Sequence, residues 1–290
     1  MDTVYRFLLD DLDIRGALVQ LGPAWEAMHG QRGYAEPVRN LLGELAAVTA
    51  LIGSNLKAPG RITFQLQGMG PISLLVMDCD EQLRLRGMAR SELTGCGEEG
   101  NTRHPVSLNQ LLGDGQLVLT LQVNAATSQY QSVVPKLGDS LAAIFEHFLA
   151  QSEQQPARLW LAATGTTACG LFLQKLPGAD VQDADGWNRI EQLASTVQPE
   201  ELVLEPQVLL KRLFGAESVR LFPARSASWN CPRNEEKVRN MLLTLGRVEV
   251  ENMLSDADVI SVEDEICGHV YRFGPEVLDE LFPPAGRVLH

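Results

Sequence analysis

At 290 residues, with an apolar share of 45% and a charged share of 21%, the chain has a globular composition and length for one large or two ordinary domains. Its 37 acidic against 24 basic side chains, a net charge of −13, argue against a broad nucleic-acid surface, which needs a clustered basic footprint. No apolar run of about 20 residues is present for a membrane span, the first residues lack a signal-peptide layout, and the five cysteines are odd in number and irregularly spaced. The expectation is a cytoplasmic protein with no membrane partner and no structural disulfide framework.

Strand patterns at Val4–Leu9 and Gly16–Leu21 flank an acidic turn at Asp10 and Asp11. Pro37 suits the first turn of a helix, and Val38, Leu41, Leu42, Leu45, Val48 and Ile52 follow at helical spacing up to Leu56. The period then changes to that of strands at Arg61–Gln67, Ile72–Asp78 and Leu83–Met88, with a Gly68-Met69-Gly70-Pro71 turn, predicting an antiparallel meander. Residues 91–105 read as a polar surface loop in preference to a metal site, although they hold Cys96 and His104. Further strands are predicted at Gln116–Val123, Gln129–Val134, Arg158–Ala163 and Cys169–Gln174, and a helix at Asp139–Gln151 with Leu141, Ile144, Phe145, Phe148 and Leu149 on one face. Cys79 and Cys169 fall in apolar strand patterns and read as small buried hydrophobes.

The pattern closes at Leu176-Pro177-Gly178, which bounds a core domain at 1–178. Residues 179–227 carry helical stretches at Trp187–Val197 and Pro206–Phe214, a short strand at Ser218–Phe222, and Pro199, Pro206 and Pro223 as punctuation. This is the texture of a helical linker that packs on something else. Its apolar residues, among them Leu202, Leu204, Leu209, Leu210, Leu213 and Phe214, are dense for a linker and are the candidates for surface that becomes exposed on demand. Residues 228–290 form a small acidic module, with seven acids and no base between 249 and 265. Pro232 is read as opening a helix whose face is Val238, Met241, Leu242 and Leu245 and whose stop is Gly246. A helix at Glu249–Leu254, a hairpin of Val259–Val262 and Val270–Phe273 around Cys267-Gly268, and a helix at Pro275–Phe282 complete it. The fold class is α+β, a mixed core with antiparallel sheets, a helical linker and a helix and hairpin module.

Catalytic layouts are missing: there is no Gly-x-Ser-x-Gly elbow, Walker loop, His-Glu-x-x-His or dinucleotide fingerprint. The expectation is therefore a protein that is not an enzyme. Several separate runs then point one way: Tyr130-Gln131-Ser132-Val133-Val134-Pro135, Ser152-Glu153-Gln154-Gln155-Pro156, Leu173-Gln174-Lys175-Leu176-Pro177-Gly178, and Cys231 with Cys267-Gly268 in the tail. In these, and in the order of its parts, the chain resembles heat-shock protein 33, the redox-regulated holdase chaperone family of bacteria. The resemblance implies a mixed core, a metastable linker and a C-terminal zinc-binding redox switch. In that family oxidation forms two local disulfides, zinc leaves, switch and linker unfold, and apolar surface becomes available to unfolding client proteins.

The family tail is Cys-x-Cys, a spacer, then Cys-x-x-Cys. Laid on it, Cys231 takes the first position and Arg233 the second; residues 234–263 intervene, Asp264 takes the third and Cys267 the fourth. Each local pair has lost a member, so neither family disulfide can form. A zinc ion would need Cys231 and Cys267 to be joined by Asp264 and His269, with the Arg233 cation beside it, whereas structural zinc takes four Cys or His ligands. No cofactor is therefore expected, and zinc is the alternative. Loss of the metal removes an apparent stabilisation of about 10–16 kcal/mol. For the two surviving thiols a reducing compartment favours vestiges that make no bond. The other reading is a Cys231–Cys267 disulfide worth roughly 3–4 kcal/mol, with oxidation tightening the module. The function expected is an ATP-independent holdase for unfolded clients with an impaired thiol switch; a homodimer is compatible with this. The alternatives are a zinc-binding redox sensor or a small-molecule enzyme.

Overall fold

The two periods in the sequence, two residues in the strands and 3.6 in the helix after Pro37, are realised as two six-stranded sheets with that helix buried between them. The computed structural model describes residues 2–56, 59–93, 107–123 and 129–283. The chain divides into two units, the first ending at Asn230 and the second beginning at Cys231.

In the first unit the elements run β1 (Thr3–Leu9), β2 (Ile14–Leu21), α1 (Pro23–His29), α2 (Glu36–Ser54), β3 (Gly60–Gly68), β4 (Ile72–Asp80), β5 (Arg84–Ser91), α3 (Leu108–Leu112), β6 (Gly115–Val123), β7 (Gln129–Pro135), α4 (Leu141–Glu153), β8 (Ala157–Ala163) and β9 (Ala168–Lys175). They continue as α5 (Ala179–Gln182), α6 (Gly186–Ala194), a 3₁₀ turn at Pro199–Val203, α7 (Pro206–Phe214), β10 (Val219–Leu221), β11 (Arg225–Ser226) and β12 (Ser228–Trp229). The first sheet has the order β10-β1-β2-β9-β8, with β11 also on β1; the second has the order β12-β5-β4-β3-β6-β7. The meander expected of β3, β4 and β5 is present, and β6 pairs with the free edge of β3. Helix α2 carries Pro37 in its first turn and is buried over most of its circumference, with Leu42, Leu45, Val48 and Leu51 fully covered. Between the sheets these residues meet Phe64, Leu66, Met77, Phe145 and Phe172 in one core.

Two short helices escape the periodicity. Helix α1 has seven residues and buries Trp25, whose indole N–H donates to the Thr164 carbonyl at 2.8 Å. Helix α3 has five residues and announces itself only by a capping box, with Ser107 and Gln110 bonding reciprocally. The first unit takes in both the stretch read as core, 1–178, and the stretch read as linker, 179–227, and runs on to Asn230, with Ser228 and Trp229 paired in parallel with Arg84 and Leu85 of β5.

The second unit consists of α8 (Glu235–Leu245), α9 (Arg247–Asp256), β13 (Ile260–Asp264), β14 (His269–Phe273) and α10 (Glu276–Leu281). Val238, Leu242, Val250, Ile260, Tyr271, Phe273 and Val277 form its core. Two expectations are corrected here. Helix α8 starts after Asn234 and not at Pro232, because the Asn234 side chain accepts from the Lys237 N–H at 2.9 Å and caps it. Its buried face is narrower than the periodicity predicts: Met241 and Leu245 are exposed. Among the described residues no helix is long and apolar enough to cross a membrane.

Candidate functional site

Strand alternation gives the first sheet two apolar faces. Ala17, Val19 and Leu21 of β2 face α2, while Phe7, Leu9, Ile14, Leu18, Leu171 and Leu173 face outward. An outward apolar face must be covered, and the segment from 179 to 227 covers it. Trp187 and Ile190 of α6, Leu202 of the 3₁₀ turn, and Leu209, Leu210, Leu213 and Phe214 of α7 join that face as a second apolar cluster, separate from the main core. Phe214 is buried and its ring lies 6.1 Å from that of Phe7. Phe7 in turn lies against Gly16 on the neighbouring strand, where any Cβ would overlap its ring. All six candidates named from the sequence belong to this cluster, Leu204 as a partly buried member.

The polar contacts that hold the cover in place were not visible in the sequence. Gln20, buried in β2, donates through Nε2 to the carbonyls of Leu202 at 2.8 Å and Leu204 at 2.6 Å. A lone amide in the apolar run of β2 was the one available signal. Arg158 on β8 pairs with Glu191 of α6 at 2.6 Å, and Arg220 of β10 pairs with Asp10. These pairs are partly or largely exposed, so each contributes at most about 1 kcal/mol. Backbone pairing of β10 and β11 with β1 anchors the end of the cover, whereas α6, the 3₁₀ turn and α7 are held mainly by apolar burial, which is non-directional.

Within the second unit the hairpin brings Cys231 and Cys267 together. The structure joins their sulfurs in a disulfide with the Cα atoms 5.7 Å apart, inside the usual range for such bonds. A reducing compartment favours two unbonded thiols, whereas the geometry pairs them. Residues 265–268 form the loop between β13 and β14, with Asp264 opposite His269 in register and Gly268 at φ +69°. Asp264 Oδ1 accepts from the N–H groups of Ile266 at 3.0 Å and Cys267 at 3.2 Å, so this carboxylate shapes the turn that presents Cys267. Arg233 donates through Nη2 to the Val270 carbonyl at 2.7 Å, and its guanidinium lies 5.1 Å from the Tyr271 ring. His269 Nε2 bonds the Cys231 carbonyl at 2.7 Å, and the Asn234 N–H donates to Tyr271 Oη at 2.7 Å. Of the four donors considered for zinc only the two sulfurs meet, and all four are engaged: the sulfurs with each other, Asp264 with turn amides, and His269 with a carbonyl. Among the described residues no three His, Cys, Asp or Glu side chains converge as metal ligands. This set, with an arginine in it, does not fit a structural zinc.

Cys96 and His104 lie outside the described residues. The other cysteines are inert positions: burial pushes the Cys79 thiol up to about 12, with Asp80 and Asp78 adding to it, and burial pushes Cys169 up to about 11. In the core, a cleft of about 510 Å³ beside α4 holds Glu146, His147 and Arg158. Burial raises the Glu146 carboxyl, against the opposing pull of the Leu159 N–H and Arg158. Glu146 already accepts from that N–H at 2.8 Å, and Arg158 is shared with Glu191. A smaller cleft of about 250 Å³ is lined by Glu44 of α2 together with Trp160, Val197, Pro199 and Leu202, and burial pushes the Glu44 carboxyl up to about 7.

With this geometry in place, the comparisons with known proteins agree. The profile of the family described as Hsp33 protein matches residues 2–274. A 33 kDa chaperonin from Methylobacillus flagellatus is 36% identical over 286 residues, covering 97% of this chain and 94% of that protein. Another from Vibrio cholerae serotype O1 is 34% identical over 295 residues, covering 99% of this chain and 98% of that one. The crystal structure of the 33 kDa chaperonin (heat shock protein 33 homolog) from Thermotoga maritima superposes with a TM-score of 0.82 at 22% identity over 97% of each chain, a likeness of fold.

Proposed function

The chain belongs to the Hsp33 family, and we propose that it acts in the cytoplasm as an ATP-independent holdase, a binding protein and not an enzyme. It captures unfolding client proteins on apolar surface uncovered when the linker lifts. The observation that carries this reading is the second apolar cluster. The leucine-rich stretch of α6, the 3₁₀ turn and α7 lies on an equally apolar sheet face and is tied to it by Gln20 to two carbonyls and by partly exposed ion pairs, while the backbone ladder to β1 is made farther along the segment, by β10 and β11. Lifting it bares Leu202, Leu209, Leu210, Leu213 and Phe214 on one side and Phe7, Leu9, Ile14 and Leu18 on the other, a two-sided surface matched to exposed client side chains. The absence of a Walker loop from the sequence supports a mechanism without nucleotide.

Heat or unfolding conditions, more than disulfide chemistry, release this surface. The support is the pair Arg233 and Asp264, which stand where the family's two local disulfides need cysteines. The test compares suppression of aggregation of a heat-unfolded client by the reduced and the peroxide-treated protein. Reduced protein is expected to protect the client as temperature rises, with no strong gain from peroxide. A reduced protein that stays inactive on heating and is strongly activated by peroxide would sink the reading.

A further inference from the structure

The C-terminal unit holds three features that share one place. The Cys231–Cys267 disulfide ties the segment before α8 to the hairpin. Arg233 and Asn234 of the same segment bond Val270 and Tyr271 of β14, and His269 bonds the Cys231 carbonyl. Asp264 caps the turn on which Cys267 sits. Arg233 and Asp264 are therefore structural parts of the closed unit.

We infer that this unit is closed by the disulfide together with Arg233 and Asp264 in place of a metal, so that oxidation locks it and reduction loosens it. The sign is opposite to that implied by the resemblance. In the locking step the two thiols each lose one hydrogen, two electrons and two protons in all, to a peroxide, which becomes water and its second hydroxyl product, and the S–S bond forms. In the loosening step a dithiol reductant returns two electrons and two protons to the cysteines and is itself left as a disulfide. The bond spans 36 residues of sequence separation. By chain entropy a loop of that length changes the opening equilibrium by a factor on the order of several hundred. After reduction the polar bonds of Arg233, His269 and Asp264 remain but no covalent tie does. The inference rests on the geometry of the C-terminal unit and not on client capture.

The experiment uses the full chain in oxidised and dithiol-reduced form, each with and without a zinc chelator, and reads zinc content and proteolytic cleavage within residues 231–283. The expected result is less than a tenth of an equivalent of zinc in either form. Cleavage should be insensitive to chelator and accelerate by a factor on the order of several hundred on reduction. The Arg233→Cys, Asp264→Cys double variant, reduced and supplied with zinc alone, is expected to bind about one equivalent. Stoichiometric zinc in the reduced wild type, chelator-dependent opening, or cleavage that slows or stays constant on reduction each overturns the inference. These readouts involve no client, so a failed holdase assay and a failed lock are told apart.

Discussion

Glu44 offers a test of how the linker is held. It sits on the buried helix α2 in a small cleft whose other wall includes Val197, Pro199 and Leu202 of the linker. Burial alone raises its carboxyl from 4.5 to about 7. The sign follows from linkage. The folded state holds this proton up to about pH 7, whereas the opened state releases it near 4.5. Between those values the opened state binds fewer protons, so stability falls as pH rises, by about 1.4 kcal/mol per unit. The loss totals about 3 kcal/mol, is absent below pH 4.5 and complete above pH 7. Glu44→Gln keeps the shape and removes the charge. Denaturant or thermal unfolding of wild type and variant at pH 5, 6, 7 and 8, followed by tryptophan fluorescence, gives a difference curve from which other carboxylates cancel. The variant should exceed the wild type by less than about 1 kcal/mol at pH 5 and by about 3 kcal/mol at pH 8, the latter roughly 6–12 °C for a unit of this size. Apolar surface detected by a hydrophobic dye should rise with pH in the wild type and not in the variant. A flat difference curve, or a variant less stable at pH 8, would refute the reasoning.

Other outcomes follow from packing. Phe214→Ala removes a buried ring lying against Phe7 and should cost about 3–5 kcal/mol of linker attachment, so client protection by the reduced protein should begin at lower temperature. Unchanged onset despite a lowered melting temperature would separate α7 from client capture. Gly16→Ala drives a methyl into the Phe7 ring and should destabilise the first unit by about 1–3 kcal/mol or more, measured as a shift in denaturant midpoint. With thiols raised to about 12 and about 11, Cys79 and Cys169 should resist alkylation at pH 8 in the native protein and label only in denaturant, as read by peptide mapping.

The sequence by itself determined the local periods and therefore the elements. Alternation over β1, β2 and β9 and helical spacing along α2 are short-range signals, readable wherever an element is long enough to repeat them. It also marked Leu202, Leu209, Leu210, Leu213 and Phe214 as too apolar for an exposed linker, and it exposed the departures at Arg233 and Asp264. Helices α1 and α3 were lost because five to seven residues repeat nothing. Only the tertiary structure decided what each apolar face meets. Gln20 and Leu202 lie 182 residues apart, and their bond exists because the linker returns to the outer face of β2. Glu44 is raised by burial in a cleft that Val197, Pro199 and Leu202, far along the chain, help to close. Composition and compartment argued for two separate thiols, but the register that sets Asp264 against His269 carries Cys267 to Cys231. Strand pairing and side-chain convergence depend on contacts far apart in the chain, and no local pattern records them.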